Sequence, residues 1–93
     1  MNDKIESIKK LIQDQISDSE VYIYDESSSH AGHFEHSFSI PSHLKITIIS
    51  DFFKEMPLVS RHRKINEIMG DYFTQGLHAL KIITKTKNEA DNE

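Results

Sequence analysis

Histidines at short, regular spacing are the side chains of this sequence best suited to chemistry. His30, His33 and His36 follow one another at three-residue steps, and His43 lies just downstream. Neutral imidazole is a common ligand of transition metals. In an extended segment this step alternates faces, so His30 and His36 would point one way and His33 the other. The spacing alone therefore leaves two interpretations open, a metal-binding loop and a solvated polar loop.

Two further histidines lie on predicted regular elements. His78 opens a predicted strand between Leu77 and Ala79, a position where histidine is more often a packed strand-end residue than a ligand. His62 lies on the apolar stripe of a predicted helix and is interpreted as a hydrogen-bonded histidine at the edge of the core. From the local pattern alone, neither residue is predicted to bind metal.

The absence of cysteine narrows the chemistry that the chain can perform by itself. Without a thiolate it cannot hold an iron–sulfur cluster or a cysteine-type zinc site through its own sulfurs. A chain without disulfides suits a reducing compartment. No apolar run approaches the roughly 20 residues of a membrane span, and the polar N-terminus, which carries acidic residues, resembles no targeting signal. We expect a cytoplasmic protein without a membrane association.

Catalytic motifs are missing from the sequence. It contains no Gly-rich phosphate loop and no G-x-S-x-G element, and Ser60 near His62 has no third group to orient the pair. The carboxylates are scattered and form no defined acid–base pair. We expect that the protein is not an enzyme.

Three basic residues on the predicted long helix are candidates for phosphate contacts. Arg61, Arg63 and Lys64 are close in sequence, but consecutive helical positions are ~100° apart, so they form no compact cluster. Arg61 and Lys64 share a side, whereas Arg63 points elsewhere, one turn from Glu67. A solvated helix face is the main alternative. The net charge of −4 argues against tight binding to nucleic acid.

Hydrophobic periodicity predicts the elements that position these side chains. An amphipathic helix ends near Ser17, with its apolar face formed by Ile5, Ile8, Leu11, Ile12 and Ile16. Alternating patterns predict strands over 20–25, 44–49 and 77–85. Before the last strand we expect a helical turn at 51–53 and a helix whose stripe contains Leu58, His62, Ile65, Met69 and Tyr72. The long connection over 26–43 is of a kind that often carries function.

The order of these elements predicts one two-layer α+β domain over residues 1–85. Three strands would form a sheet that helices cover on one face. Residues 86–93 contain charged groups but no core-forming side chains. They are predicted to be a mobile acidic tail.

Four stretches taken together resemble the BolA-like family, at family-like order and spacing. They are DESSSHAGH (25–33), SHLKITIIS (42–50), FKEMPLVSRHRKI (53–65) and LHALKI (77–82), and the resemblance covers about residues 5–85. It implies the class II KH-like α+β fold with a three-stranded mixed sheet, which agrees with the element order. The chain departs from the family in Leu44, where Phe is usual. It also lacks the family's later Thr-Pro and Trp, so no C-terminal helix is predicted.

The resemblance also implies a partner and a cofactor. Members of this family share a 2Fe–2S cluster with a monothiol glutaredoxin, which supplies its own cysteine and a glutathione thiolate. This chain would supply His78 and His30, with His33 as the alternative loop ligand. The cysteine-free composition agrees, since any cluster here would take its thiolates from elsewhere, and neutral imidazole ligands raise the potential of such clusters. The isolated chain is expected to hold no cofactor and to be a monomer or weak homodimer.

A second activity attributed to the family is DNA-binding transcriptional regulation. On this chain it would use Arg61, Arg63 and Lys64, together with Lys81 or Lys85. The sequence therefore carries two hypotheses of different classes, a cluster-sharing adaptor and a DNA-binding regulator.

Overall fold

The computed structural model describes residues 3–26 and 43–92. Its elements before the final strand are α1 (Asp3–Gln15), β1 (Glu20–Asp25), β2 (His43–Ile49), a 3₁₀ turn (Asp51–Phe53), α2 (Leu58–Ile68) and α3 (Gly70–Thr74). They are followed by β3 (Ala79–Lys85) and α4 (Lys87–Asp91). The predicted elements are present, with two differences: the predicted long helix is divided at Met69 into α2 and α3, and the last strand begins at Ala79 rather than at residue 77. The helix α4 is an addition.

The three strands form one mixed sheet, as predicted, and their order in the sheet is β1–β2–β3. β1 runs antiparallel to β2, and β2 runs parallel to β3. A parallel neighbour requires a crossover connection. The 3₁₀ turn, α2 and α3 provide it, which places the first residues of β2 and β3 at the same edge of the sheet.

The core lies between the sheet and the helices. On β2, every second side chain is buried, namely Leu44, Ile46 and Ile48. Apolar residues of the other elements pack against them: Ile8, Ile12, Ile16, Val21, Phe53, Ile65, Met69 and Leu77. Period-two burial in the strand and period-3.6 burial in the helices therefore produce the two layers. The opposite face is more open, since Tyr22 and Tyr24 of β1 remain 45% and 54% exposed.

The first turn of α2 departs from the predicted apolar stripe. Leu58 is 60% exposed, whereas Arg61, Ile65 and Met69 form the buried side. Residues seven positions apart lie on nearly the same side of an α-helix, so the periodicity correctly predicts that Leu58 and Ile65 share a side. Its exposure arises because no element of residues 3–26 or 43–92 covers that turn, and packing of this kind cannot be seen in local periodicity.

The C-terminus also differs from the prediction of a mobile tail. Thr86 caps α4, accepting a hydrogen bond from the Glu89 amide and donating its own amide to the Glu89 carboxylate. Glu89 pairs with Arg61, and the Lys87 ammonium lies 2.8 Å from the Asp18 carboxylate. A capping box and two ion pairs dock this segment. The sequence prediction considered only apolar burial and did not include these polar contacts.

Candidate functional site at the histidine end of the sheet

Two histidines meet at the edge of the sheet where β2 and β3 begin. His43 is the first residue of β2 and pairs in register with Ala79, the first residue of β3. His78 immediately precedes Ala79, so the two imidazoles become neighbours, with ring centroids 6.4 Å apart and ring planes inclined at 43°. We call His43, His78 and the neighbouring Glu26 the histidine end.

The chain before β3 fixes the position of His78. Gly76 has a φ of 126°, a conformation that side chains other than glycine rarely adopt. The next residue, Leu77, is buried in the core, and its amide donates to the Tyr72 carbonyl over 3.1 Å. His78 itself is exposed. It precedes the strand rather than opening it, and its ring is accessible from solvent.

The surroundings of the pair are open and of mixed charge. A shallow cleft of about 460 Å³ is lined by Glu26, His43, Leu44, Ala79, Leu80 and Lys81. The Glu26 amide donates to the His43 carbonyl over 2.9 Å, which ties the end of β1 to the start of β2. His43 lines this cleft, and the exposed His78 lies beside His43, so a ligand arriving from solvent or on a partner surface can approach the pair.

The predicted loop ligands His30 and His33 lie outside the described residues, so their relation to His78 stays a prediction. Within residues 3–26 and 43–92, no group of three or more His, Cys, Asp or Glu side chains is placed to hold a metal ion. The described part of the chain thus offers a pair of imidazoles rather than a complete metal site. Sequence reasoning noted His43 but did not connect it to His78, because strand register is not visible in spacing.

Arg61, predicted to contact phosphate, is a buried structural residue. It is only 6% exposed, and its Nε donates to the Met56 carbonyl over 2.9 Å. Nη1 and Nη2 donate to the two carboxylate oxygens of Glu89 over 2.8 and 3.2 Å. The guanidinium carbon lies 5.7 Å from the centre of the Phe53 ring. These contacts correct the assignment, since Arg61 has no free face for a nucleic-acid backbone.

The carboxylate partner of Arg61 is electrostatically tuned by the same contacts. The hydrogen bonds from Arg61, followed by that from the Thr86 amide, lower the pKa of Glu89 from its ordinary 4.5 to about 2. Glu89 therefore remains charged wherever the protein is near neutral pH. This ion pair joins α2 to α4 and is structural in character. We call Arg61, Glu89, Thr84 and Thr86 the arginine end.

The other basic candidates lie in different environments. Arg63 is exposed on α2, and Lys64 is partly buried beside a shallow groove that Leu11 and Glu67 also line. Lys81 is exposed and lines the cleft at the histidine end, and Lys85 is partly buried. His62 is partly buried on α2, in agreement with its interpretation as a core-edge residue. Of the three residues predicted on α2, Arg63 is the one that is exposed.

None of the helices in the described ranges combines the length and apolar character that a bilayer span requires.

Comparisons with known proteins agree with the fold. Residues 12–89 match the family model for BolA-like proteins, a range that reaches Glu89 in α4. The chain is 32% identical over 88 residues to "Protein BOLA1, chloroplastic" of Arabidopsis thaliana, which covers 92% of this chain and 55% of that protein. The chain thus spans about half of that relative. A solved structure of BolA1 from Arabidopsis thaliana superimposes with a TM-score of 0.81 at 32% identity, covering 90% of this chain and 92% of that one.

One relative carries a functional name. The chain is 30% identical over 86 residues to "DNA-binding transcriptional regulator BolA" of Vibrio cholerae, an alignment that covers 88% of this chain and 74% of that protein. The name describes the Vibrio cholerae protein. Whether this chain could bind DNA depends on which of its own basic residues are exposed.

Proposed function

This chain belongs to the BolA-like protein family, and from that premise we propose that it is a non-enzymatic adaptor that shares a 2Fe–2S cluster with a monothiol glutaredoxin. His78 is the ligand that we assign first. His30 is the second, with His33 as its alternative. The role of such a complex is cluster trafficking or regulation by iron and redox state.

The donor set of the chain fits a shared cluster rather than one held alone. A 2Fe–2S cluster takes four protein ligands, usually cysteine thiolates, although two histidines replace cysteines on one iron in some centres. This chain has no cysteine and presents imidazoles instead. It fits the histidine half of such a centre, with the thiolates coming from glutaredoxin and glutathione. Bound in this way, the cluster would supply electron-transfer or iron–sulfur-delivery chemistry.

The observation that carries the proposal is the exposure of His78 at the start of β3. Leu77 in the core and the turn at Gly76 hold the backbone before it, so the imidazole is presented from a fixed position. A ligand donated to a partner's cluster must be accessible and in a defined place. His78 meets both requirements, whereas His62 is partly buried on α2.

Anaerobic reconstitution tests the proposal. The purified chain is mixed with a monothiol glutaredoxin, glutathione, ferrous iron and sulfide, and the heteromeric complex is isolated by gel filtration. Its visible absorption and circular dichroism should differ from those of the glutaredoxin-bound cluster alone. His78→Ala should reduce the yield of the complex with that spectrum at least about tenfold, since a direct ligand is lost.

His62→Ala is the matched control, because it removes an imidazole from α2 and leaves the histidine end intact. It should give the parental spectrum and yield. His30→Ala and His33→Ala then identify the loop ligand as the variant with the larger loss. A His78→Ala complex with parental spectrum and yield would remove His78 from the ligand set and contradict the proposal.

DNA binding is the second candidate function, favoured by the name of the Vibrio cholerae relative. Arg63 is its best residue, because it is exposed on α2, and Lys64 is partly accessible beside it. Arg61 is not included, since its guanidinium is paired with Glu89. Without Arg61, few cations remain for a surface whose binding depends on counterion release.

A gel-shift series in rising salt tests this candidate. Specific binding that survives about 0.15 M salt and is lost in Arg63→Ala would support it. Lys10→Ala, which removes an exposed cation from α1, is the control and should leave binding unchanged. Binding that disappears at that salt concentration, or is equally weakened by both substitutions, would argue against it.

A further inference from the structure

The rings of His43 and His78 lie close enough for a small movement to place both on one metal ion. Metal–nitrogen distances to imidazole are about 2.0–2.1 Å. Two rings bound to one ion therefore have centroids at most about 6.5 Å apart, and about 5.3 Å apart at a tetrahedral angle. The observed separation of 6.4 Å is at this upper limit, which corresponds to a nearly linear arrangement of the two rings about an ion. Side-chain rotations that shorten the distance between the two ring centroids by roughly 1 Å would allow tetrahedral geometry at a shared ion.

The backbone beneath both rings is already held in place. β2 and β3 pair in register at His43 and Ala79, and the Glu26 amide donates to the His43 carbonyl. His78 follows the buried Leu77. Metal binding would therefore fix mainly side-chain torsions, and a site that needs little ordering of the backbone loses less entropy on binding.

The chemistry of the pair selects a class of ion. Two imidazoles suit zinc, copper, nickel or ferrous iron rather than calcium or magnesium, which prefer oxygen ligands. Glu26 adds negative charge to the cleft, and Lys81 opposes a cation there. Within residues 3–26 and 43–92, no third ligand is assembled beside the pair.

From these observations we propose that His43 and His78 form a two-imidazole site that binds one divalent transition-metal ion in the chain by itself. His43 has no part in the function proposed above, so the inference adds a residue and a ligand class to it. Under that function, an ion on this pair would occupy the imidazole that a partner's cluster needs. The two uses of His78 would then exclude each other.

Zinc titration of the full chain tests the site. The histidines at positions 30, 33 and 36 are first replaced by alanine, so that they cannot contribute to zinc binding. In a His30→Ala/His33→Ala/His36→Ala parent, isothermal titration calorimetry with zinc should show one ion per chain. Imidazole nitrogen resonances of two histidines should shift in NMR spectra of the same sample. His43→Ala and His78→Ala should each weaken the binding at least about tenfold. His62→Ala should leave it unchanged.

His43→Gln is the second variant, because His43 is partly buried and its truncation could disturb β2. A folded His43→Gln chain with parental zinc affinity would overturn the proposal. Absence of zinc binding in the loop-substituted parent would overturn it as well. Since no glutaredoxin is present, this outcome is distinct from the reconstitution result, and either proposal can fail while the other holds.

Discussion

The two ends of β3 use ionisable side chains in opposite ways. At the histidine end, His78 is exposed, and its neighbour His43 is partly buried and lines a shallow cleft. At the arginine end, Arg61 is buried and donates to Glu89, Met56 and the chain near Thr84. The His78 ring at the first end is open to solvent, whereas the Arg61 guanidinium at the second end is committed to contacts within the fold.

The difference between the two ends shows that a conspicuous sequence motif can mark either a functional residue or a structural one. The Arg-His-Arg element on α2 and the His-Ala-Leu element before β3 are equally conspicuous in the sequence. The two elements differ in their burial and in their contacts with α4. Arg61 becomes a bridge between α2 and α4, whereas His78 stays available to a ligand.

Truncation of Arg61 should produce the largest change in stability. Arg61→Ala removes the side-chain donor of the Met56 carbonyl, leaves the Glu89 carboxylate with the Thr86 amide but without the guanidinium, and removes the packing on Phe53. We expect the free energy of unfolding to fall by about 3 kcal/mol. Urea denaturation followed by circular dichroism measures it. Arg63→Ala is the matched control, with a change within about 0.5 kcal/mol, and equal losses in both variants would contradict the division between buried and exposed arginine.

The arginine end should also give the fold an acid-sensitive component. The folded-state pKa of Glu89 is lowered from 4.5 to about 2. Its contribution to stability is therefore complete above about pH 4.5 and is lost as the pH falls towards 2. The difference in urea midpoint between the parent and Glu89→Gln should be largest near neutral pH and shrink through this window.

Asp18→Asn provides the comparison for that pH series. The pKa of Asp18 is also lowered, by its hydrogen bond and charge interaction with Lys87, but both side chains of that pair are largely exposed. Its effect on the midpoint should be smaller than that of Glu89→Gln. A Glu89→Gln difference that is constant from pH 7 to pH 2 would show that the ion pair makes no pH-dependent contribution.

A smaller and opposite effect is expected from Thr84. Its hydroxyl oxygen is buried and has no hydrogen-bond partner among the residues that the structure describes. Thr84→Val replaces this hydroxyl by a methyl group of similar shape, so we expect a gain of about 1 kcal/mol in the free energy of unfolding. Thermal unfolding should show a higher midpoint. A lower one would indicate that the hydroxyl is satisfied in solution.

The smallest change in stability is expected at the histidine end, where His78→Ala should alter the free energy of unfolding by no more than about 0.5 kcal/mol. Equilibrium denaturation of the metal-free chain measures it. A loss comparable to that of Arg61→Ala would show that His78 is structural, and the comparison between the two ends would fail.

The strands and the two longer helices were predictable because each carries its own periodicity. The alternation of Leu44, Ile46 and Ile48 marks the buried face of β2 without knowledge of its neighbours. The spacing of Ile8, Ile12 and Ile16 does the same for α1. In both cases the local pattern and the tertiary packing agree.

The contacts that define the two ends depend on residues distant in sequence. His43 and His78 meet through parallel strand register, and Arg61 meets Glu89 because α4 returns to α2. Neither contact can be predicted from the spacing of these residues along the sequence. The family resemblance, rather than the apolar neighbours of His78, singled out this residue as a ligand, and α4 was missed because polar contacts hold it.

Electron–nuclear double resonance of the reduced complex with glutaredoxin tests the central claim most directly. The chain is labelled with ¹⁵N-histidine, and the glutaredoxin is unlabelled. Strong ¹⁵N coupling to the cluster is predicted for the parent and for His62→Ala, and loss of at least one such coupling is predicted for His78→Ala. A cluster-bearing complex without ¹⁵N coupling, or with coupling unchanged in His78→Ala, would contradict the account.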